Sequence, residues 1–243
     1  MAKNETRAPV GRPETSGPER TRAAGSSEID AFLAAAKAMA PSPNAGGRGR
    51  MIFALDATMS RQPTWDTALK LQADMFEEAA KVGGLDIQLA YFRGFNECRT
   101  SRWVSDARAL RDLMVKIDCR GGHTQIGKIL GHARRENGKQ KVGVLVFVGD
   151  ALEEKIDDLA AIAGELGLLG VKVFIFQEGR DAAVERGFRE IARLSGGAYA
   201  RFDANAAGEF AQFPKAAAIY ASGGVNALAK SGGTARLLLE QLR

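Results

Sequence analysis

The chain has 243 residues, of which 45% are hydrophobic and 26% are charged. This composition is typical of a globular protein with one sizeable domain or two small ones. No apolar run approaches the roughly 20 residues that a transmembrane helix needs, and the first residues lack the apolar region of a secretory signal. Two cysteines are too few for a disulfide framework. We therefore expect a cytoplasmic protein with no membrane partner.

The formal net charge is +5, and residues 1–50 carry eight Lys/Arg against five Asp/Glu. A basic segment of this kind can contact nucleic acid or an acidic protein. Its charges are mixed, however, and aromatic residues do not alternate with them as they do in a single-strand stacking surface. Nucleic acid is therefore not the expected partner.

The amino-terminal part of the chain predicts no large core of its own. Residues 1–26 are rich in Pro, Gly, Ser, Thr and charge, which predicts a disordered basic tail. Residues 27–49 predict a short helix and a linker, because apolar residues recur at helical spacing before "PSPNAGGRGR".

From residue 50 the pattern alternates between strand and helix. "MIFAL" predicts a buried strand, and residues 63–84 predict a helix that ends at a Gly pair. "LDIQLAYFRG" and "ECRTSRWVS" predict a hairpin that turns at Gly94-Phe95-Asn96. A helix then follows in "DARALRDLMVKI", and a Gly-rich loop leads into another helix in "GGHTQIGKILGHARRENG".

The second half continues the alternation. "KVGVLVFVGD", "VKVFIF" and "AYARFD" predict strands, with helices between them beginning near Leu152 and near Asp181. A further helix is expected around Phe213, and residues 223–243 are expected to form a tail or helix. The predicted fold is a doubly wound α/β domain over residues 50–222. It has about six mostly parallel strands, one antiparallel edge strand and helices on both faces.

Polar residues follow the predicted strands at their carboxyl ends, where doubly wound sheets bind ligands. They are Asp56, Thr58, Ser60, Thr124 and Asp150. If the first strand and "VGVLVFV" are neighbours, these oxygens converge, and Gly121 and Gly122 let the Thr124 loop approach closely. Carboxylates and hydroxyls are hard ligands that suit Mg²⁺, and no His or Cys is evident beside them to favour zinc. The sequence therefore predicts a Mg²⁺ site, for which Mn²⁺ or Ca²⁺ are alternatives.

These three loops resemble the metal-ion-dependent adhesion site (MIDAS) of von Willebrand factor type A (vWA) domains. The family motif is Asp-x-Ser-x-Ser, then a Thr, then an Asp, and here it reads Asp56-Ala57-Thr58-Met59-Ser60, Thr124 and Asp150. The resemblance covers roughly residues 50–220. Thr58 replaces the first Ser, and Gly149-Asp150-Ala151 replaces the commoner Thr-Asp-Gly. Neither departure removes an oxygen ligand.

The resemblance implies a binding module rather than an enzyme. In the family, an acidic side chain of a partner protein completes the coordination of the ion. Stand-alone intracellular vWA proteins of bacteria are similar to this chain, and they often work in multiprotein complexes, some of which include an ATPase. The expected partner is thus a protein that presents Asp or Glu.

Three other interpretations remain open. The loop after the first strand could simply cap the next helix, and Asp150 could cap the helix expected near Leu152. The chain could be a structural assembly subunit with a degenerate metal site. It could also be a Mg²⁺-dependent phosphotransferase or phosphatase with Asp56 as nucleophile, although no second carboxylate follows at residue 58.

Charged residues near the motif receive simpler interpretations. Arg61 is expected to be a solvated surface residue, with stabilisation of the loop or contact with an anionic partner as the alternatives. His123 is expected to be a rim residue without a catalytic role, because no nucleophile pairs with it. Glu153 and Glu154 are expected in the first turn of a helix, where acidic residues favour the helix dipole, and the alternative is that they tune the rim of the site.

Overall fold

The structure is a computed structural model that describes residues 48–65, 84–202 and 212–230. Its strands are β1 (Gly49–Asp56), β2 (Leu85–Arg93), β3 (Glu97–Thr100), β4 (Val144–Gly149), β5 (Lys172–Glu178) and β6 (Ala198–Phe202). They form one sheet in the order β3-β2-β1-β4-β5-β6. All neighbouring strands are parallel except β2 and β3, which form an antiparallel hairpin at the sheet edge. The predicted fold class is confirmed.

The helices are α1 (Ala107–Met114), α2 (Ile126–Lys139), α3 (Ile156–Leu168), α4 (Ala182–Leu194) and α5 (Gln212–Lys230), and a short 3-10 helix spans Met59–Thr64. The α5 helix is interrupted at Gly224, where φ is 64°. Asp181 caps α4, since its side chain accepts hydrogen bonds from the backbone N–H groups of Ala183 and Val184.

Both faces of the sheet are covered. All six residues of β4 are buried, as expected for a central strand with helices on either side. Met51, Phe53 and Leu55 pack on one face with apolar residues of α1 and α5, whereas Ile52 and Ala54 pack on the other face with residues of α2, α3 and α4. The period of two along β1 therefore divides the core into two layers.

The winding of the sheet reverses at β1. This strand pairs with β2 on one side and with β4 on the other, and Leu55 is in register with Val148. The carboxyl ends of β1 and β4 are thus neighbours, which confirms the condition on which the predicted site depends. In an open α/β sheet, such a switch point leaves a crevice for a ligand.

Several predictions lie outside the described residues. These are the tail at 1–26, the helix and linker at 27–47, most of the helix expected over 63–84, and residues 231–243. The domain boundaries at 50 and 222 stay predictions. One boundary needs correction: α3 begins at Ile156, and Leu152 lies in the preceding loop, where it packs against the core layer of α2, α3 and α4.

Candidate metal site at the sheet switch point

The first loop places its oxygens on one tight turn. Asp56 is the last residue of β1 and is completely buried, and its Oδ1 accepts a hydrogen bond of 2.8 Å from the Thr58 backbone N–H. The Thr58 and Ser60 hydroxyl oxygens are 3.1 Å apart. Thr58 precedes the 3-10 helix but makes no side-chain capping hydrogen bond to it. Thr58 therefore does not cap the 3-10 helix through its side chain, and most of the helix that the capping interpretation concerned lies outside the described residues.

The second carboxylate oxygen of Asp56 is buried without a hydrogen bond from any described residue. Burial raises the pKa of Asp56 to about 6, hydrogen bonds from Thr58 and the charge of Arg61 oppose this rise, and the nearby charge of Asp150 adds to it. An ionised carboxylate in such a place is costly unless a cation compensates it.

Asp150 meets Asp56 from the neighbouring strand. It directly follows β4, and its Oδ1 is likewise buried without a hydrogen-bond partner among the described residues. A Cβ atom added to Gly149 would lie 3.3 Å from Cβ of Asp56, so the two strand ends approach closely. Asp150 does not cap α3, because Lys155 occupies the N-cap position of that helix.

Thr124 is fixed to the loop that follows Asp150. Its backbone N–H donates to Oε2 of Glu153 over 2.8 Å, and its hydroxyl donates to Oε2 of Glu154 over 2.7 Å. The same hydroxyl oxygen accepts a hydrogen bond of 3.0 Å from the Glu153 backbone N–H. Glu154 also accepts from the Gly127 backbone N–H over 2.8 Å, which satisfies a free donor in the first turn of α2.

The Thr124 loop is also attached to the first loop. The Arg120 backbone N–H donates to the Ala57 carbonyl over 3.0 Å, and Thr58 and Arg120 form an isolated parallel bridge. A Cβ atom on Gly122 would clash with the backbone of Gly94, whereas Gly121 has open space around it. The predicted need for a small residue is thus confirmed at Gly122 only.

Arg61 lies in the core, contrary to the surface position that the sequence predicts. Its side chain is fully buried and not a surface group. It donates from Nε to Oε2 of Glu178 over 2.9 Å and from Nη1 to the Asp56 carbonyl over 2.6 Å. A second guanidinium nitrogen contacts Oε1 of Glu178 at 2.5 Å, so the pair is bidentate. Of the alternatives, stabilisation of the loop is the one that the structure supports.

Of the two interpretations of Glu153 and Glu154, the position in the first turn of the next helix is wrong. They precede α3 and instead hold Thr124 and the start of α2. The sequence shows how far these glutamates lie from Asp150, but it does not show which residues they contact. His123 behaves as a rim residue: its side chain is exposed, and its Nδ1 lies 3.3 Å from Oε2 of Glu153.

The donor set fits a hard divalent cation better than a soft one. The structure supplies two buried carboxylate oxygens without hydrogen bonds, beside the hydroxyls of Thr58 and Ser60. Within the described part of the chain, no three His, Cys, Asp or Glu side chains are grouped as a metal site of those residues would require. Any ion here must therefore take further oxygens from hydroxyls, water or a partner, which Mg²⁺ tolerates.

No protein-family model and no curated protein sequence matches the chain. Solved structures do resemble it. An aerotolerance-related membrane protein from Bacteroides fragilis superposes with a TM-score of 0.57 and 19% identity, over 70% of this chain and 98% of that one. A von Willebrand factor type A protein from Catenulispora acidiphila gives a TM-score of 0.57 and 16% identity, over 71% of this chain and 43% of that one.

A third structure is proximal thread matrix protein 1 from the mussel byssus, with zinc in its MIDAS motif. It superposes with a TM-score of 0.56 and 17% identity, over 71% of this chain and 46% of that one. The chain spans less than half the length of this protein and of the Catenulispora protein. Together with the strand order and the antiparallel edge strand, these likenesses establish the fold. The described domain has the fold of a vWA domain.

None of the helices in the described residues is long and apolar enough to cross a membrane.

Proposed function

We propose that the chain is a metal-dependent protein-binding module, in which a divalent cation links it to an acidic group of a partner. The ligands are Asp56, Thr58, Ser60, Thr124 and Asp150, either directly or through water. The observation that carries this proposal is the pair of buried, unpartnered carboxylate oxygens at the junction of β1 and β4. Buried carboxylate oxygens without donors are destabilising alone, and a dication beside them offsets that cost.

Mg²⁺ is the proposed ion, with Mn²⁺ and Ca²⁺ as the alternatives. Carboxylate and hydroxyl oxygens suit all three, and Mg²⁺ in particular retains exchangeable positions in its shell. The zinc-containing MIDAS motif of the mussel protein supports a divalent ion at this place in the fold. An exchangeable position lets a carboxylate from outside join the ion, and two protein carboxylates leave room for that third negative charge.

The partner is proposed to be a protein that presents Asp or Glu, in the cytoplasm and within a larger assembly that can include an ATPase. Binding is favoured over catalysis because the loops provide ligands but no paired nucleophile and base. Asp56 is buried and is followed two residues later by Thr58, not by a second carboxylate. A purely structural subunit with a degenerate site is the second candidate, and it is the outcome to expect if no metal binds.

Calorimetric titration of the full chain tests the metal site directly. Wild type should bind Mg²⁺ and Mn²⁺ with one site, and Asp56→Ala should lose at least about tenfold in affinity because it removes a charged ligand. Asp112→Ala is the control, since Asp112 is an exposed acidic residue of α1. A wild type that gives no heat of binding with either ion would refute the metal site and favour the structural subunit.

Partner binding is tested by affinity capture from a lysate in Mg²⁺ and again in EDTA. Proteins lost both in EDTA and with Asp56→Ala are the candidates for metal-bridged partners. An identical set of proteins in both buffers would argue against metal-bridged recognition. Phosphatase turnover that disappears with Asp56→Asn would instead establish the enzymatic interpretation.

A further inference from the structure

Exposed apolar side chains lie next to the candidate metal site. Among the described residues, five large hydrophobic side chains are exposed, and Met59 and Phe95 belong to this group. Met59 lies between Thr58 and Ser60 in the first loop, and 53% of its surface is exposed. Phe95 lies in the β2–β3 turn and is 77% exposed. Met59 follows β1 and Phe95 follows β2. These strands are parallel neighbours, and the Ala57 N–H donates to the Phe92 carbonyl, so both residues lie at the edge of the sheet that holds the site.

Phe95 is held in place by its surroundings. Gly94 has a φ of +61°, which allows the tight turn that lifts Phe95 out of the hairpin. The ring packs edge-on against the His123 ring, with centroids 5.3 Å apart. The His123 backbone N–H donates to the Gly94 carbonyl over 3.3 Å, so the turn and the Thr124 loop form one surface.

Glu153 connects this aromatic pair to the proposed ligand Thr124. His123 Nδ1 lies 3.3 Å from Oε2 of Glu153, and the same oxygen accepts the Thr124 backbone N–H over 2.8 Å. The aromatic surface and the metal site therefore share a supporting residue. A large aromatic side chain kept in water costs free energy that burial by a partner would recover.

We propose that the partner of this chain presents a large apolar side chain close to its metal-binding Asp or Glu, and that this side chain packs on Phe95 and His123. The inference rests on the proposed function, because the carboxylate reaches the site through the ion. The occupant is a protein segment: its acidic group complements the dication, and its apolar group complements the exposed ring.

The probe is a set of short synthetic peptides, each with one central Asp on a Gly/Ser background, in which a single Leu is moved through the neighbouring positions. Binding to the full-length chain is measured in Mg²⁺ and in EDTA. At one or two Leu positions the affinity should rise about tenfold over the Leu-free peptide, as burial of one aliphatic side chain implies. Phe95→Ser should remove this preference and keep the Mg²⁺ affinity.

Leu168→Ser is the matched control, because Leu168 is 93% exposed but ends α3, next to the amino-terminal end of β5. It should retain the preference for Leu. The inference is overturned if wild type shows no such preference or if Phe95→Ser retains it. A wild type that binds no Mg²⁺, binds no Asp peptide in Mg²⁺, or binds the peptides equally in EDTA refutes the proposed function and the inference with it.

Discussion

Asp56 combines a charge with complete burial, and the two are in conflict in the metal-free chain. Its pKa is raised from 3.8 to about 6, chiefly by burial, so the folded state holds the proton more tightly than the unfolded state does. The stability that this proton contributes is complete below about pH 4 and is lost as the pH rises through about 6. At neutral pH, Asp56 therefore destabilises the metal-free fold.

Replacing Asp56 by Asn should stabilise the metal-free protein at about pH 8, by about 1 to 3 kcal/mol, because the amide removes the buried charge. The amide oxygen can still accept the hydrogen bond from Thr58. Urea denaturation in EDTA at about pH 5 and about pH 8 measures the effect. The gain should be small at the lower pH, where wild type is largely protonated. If the variant were less stable than wild type at the higher pH, the buried charge of Asp56 would not be what destabilises the metal-free protein.

At the scale of elements, Arg61 joins the 3-10 helix to β5. The guanidinium is fully buried, contacts both carboxylate oxygens of Glu178, and donates to the carbonyl at the end of β1. Arg61→Met should cost about 3 to 5 kcal/mol, because it removes the guanidinium that contacts both oxygens of the buried Glu178 carboxylate. Urea denaturation measures the loss.

The matched control for that variant is Arg193→Met, which removes an exposed pair with Glu190 and should cost less than about 1 kcal/mol. A joint Arg61→Met, Glu178→Met variant should be more stable than Arg61→Met alone, since it also removes the buried Glu178 charge that the guanidinium compensates. If Arg61→Met were as stable as Arg193→Met, the buried pair would not support the first loop.

Glu154 connects α2 to the loop before α3. It accepts the Thr124 hydroxyl with one oxygen and the Gly127 backbone N–H with the other. The Thr124 hydroxyl donates its hydrogen bond to Glu154, and one of its oxygen lone pairs accepts from the Glu153 N–H. The other lone pair can therefore face an ion. Glu154→Ala should therefore weaken Mg²⁺ binding about 10- to 100-fold, as loss of an outer hydrogen bond to a ligand does. Calorimetry measures the change.

Two further variants separate this effect from general destabilisation. Glu154→Gln keeps one acceptor oxygen and should recover part of the affinity. Glu165→Ala removes an exposed pair between α3 and Arg134 of α2, at a distance from the loops, and should bind Mg²⁺ like wild type. Equal Mg²⁺ affinities for Glu154→Ala and Glu165→Ala would remove Thr124 positioning as the role of Glu154.

For the whole molecule, the sheet could be predicted because its signals are local. The continuous apolar run of β4 and the Gly turn at residue 94 each identify their own element, and the alternation of strands with helices implies parallel neighbours. The α3 helix begins four residues after the predicted start near Leu152, because Leu152 continues the apolar spacing of the helix although it belongs to the loop. A helix ends where its backbone hydrogen bonds end, and the spacing of apolar side chains does not reveal that point.

The positions of the proposed ligands could be predicted from the sequence, whereas the contacts of the residues that support them could not. Asp56 and Asp150 follow recognisable strands, so strand adjacency brings them together. Arg61 and Glu178 are 117 residues apart, and an arginine is normally exposed, so only the folded chain shows that they pair in the core. Glu154 likewise serves a helix that ends before it in sequence, a relation that local spacing does not contain.

The metal, the proton and the fold should be coupled through Asp56, and the stability of the full chain can report all three. Mg²⁺ at about 100 times its Kd should stabilise wild type by about 2.7 kcal/mol at about pH 8. With a pKa of about 6, Asp56 is mostly protonated at about pH 5. The apparent affinity then falls about tenfold, and the same Mg²⁺ concentration should contribute only about 1.4 kcal/mol.

Urea denaturation at both pH values, with and without Mg²⁺, measures this coupling, and NaCl at matched ionic strength controls for screening. Asp56→Asn should show no Mg²⁺ stabilisation at either pH, although its metal-free form is the more stable one at about pH 8. Wild type would then be less stable than Asp56→Asn without metal but more strongly stabilised by Mg²⁺. This is expected if Asp56 is a metal ligand that destabilises the metal-free fold. An equal Mg²⁺ effect in wild type and Asp56→Asn would place the ion elsewhere, whereas an equal effect at both pH values would show that Asp56 does not exchange its proton for the ion.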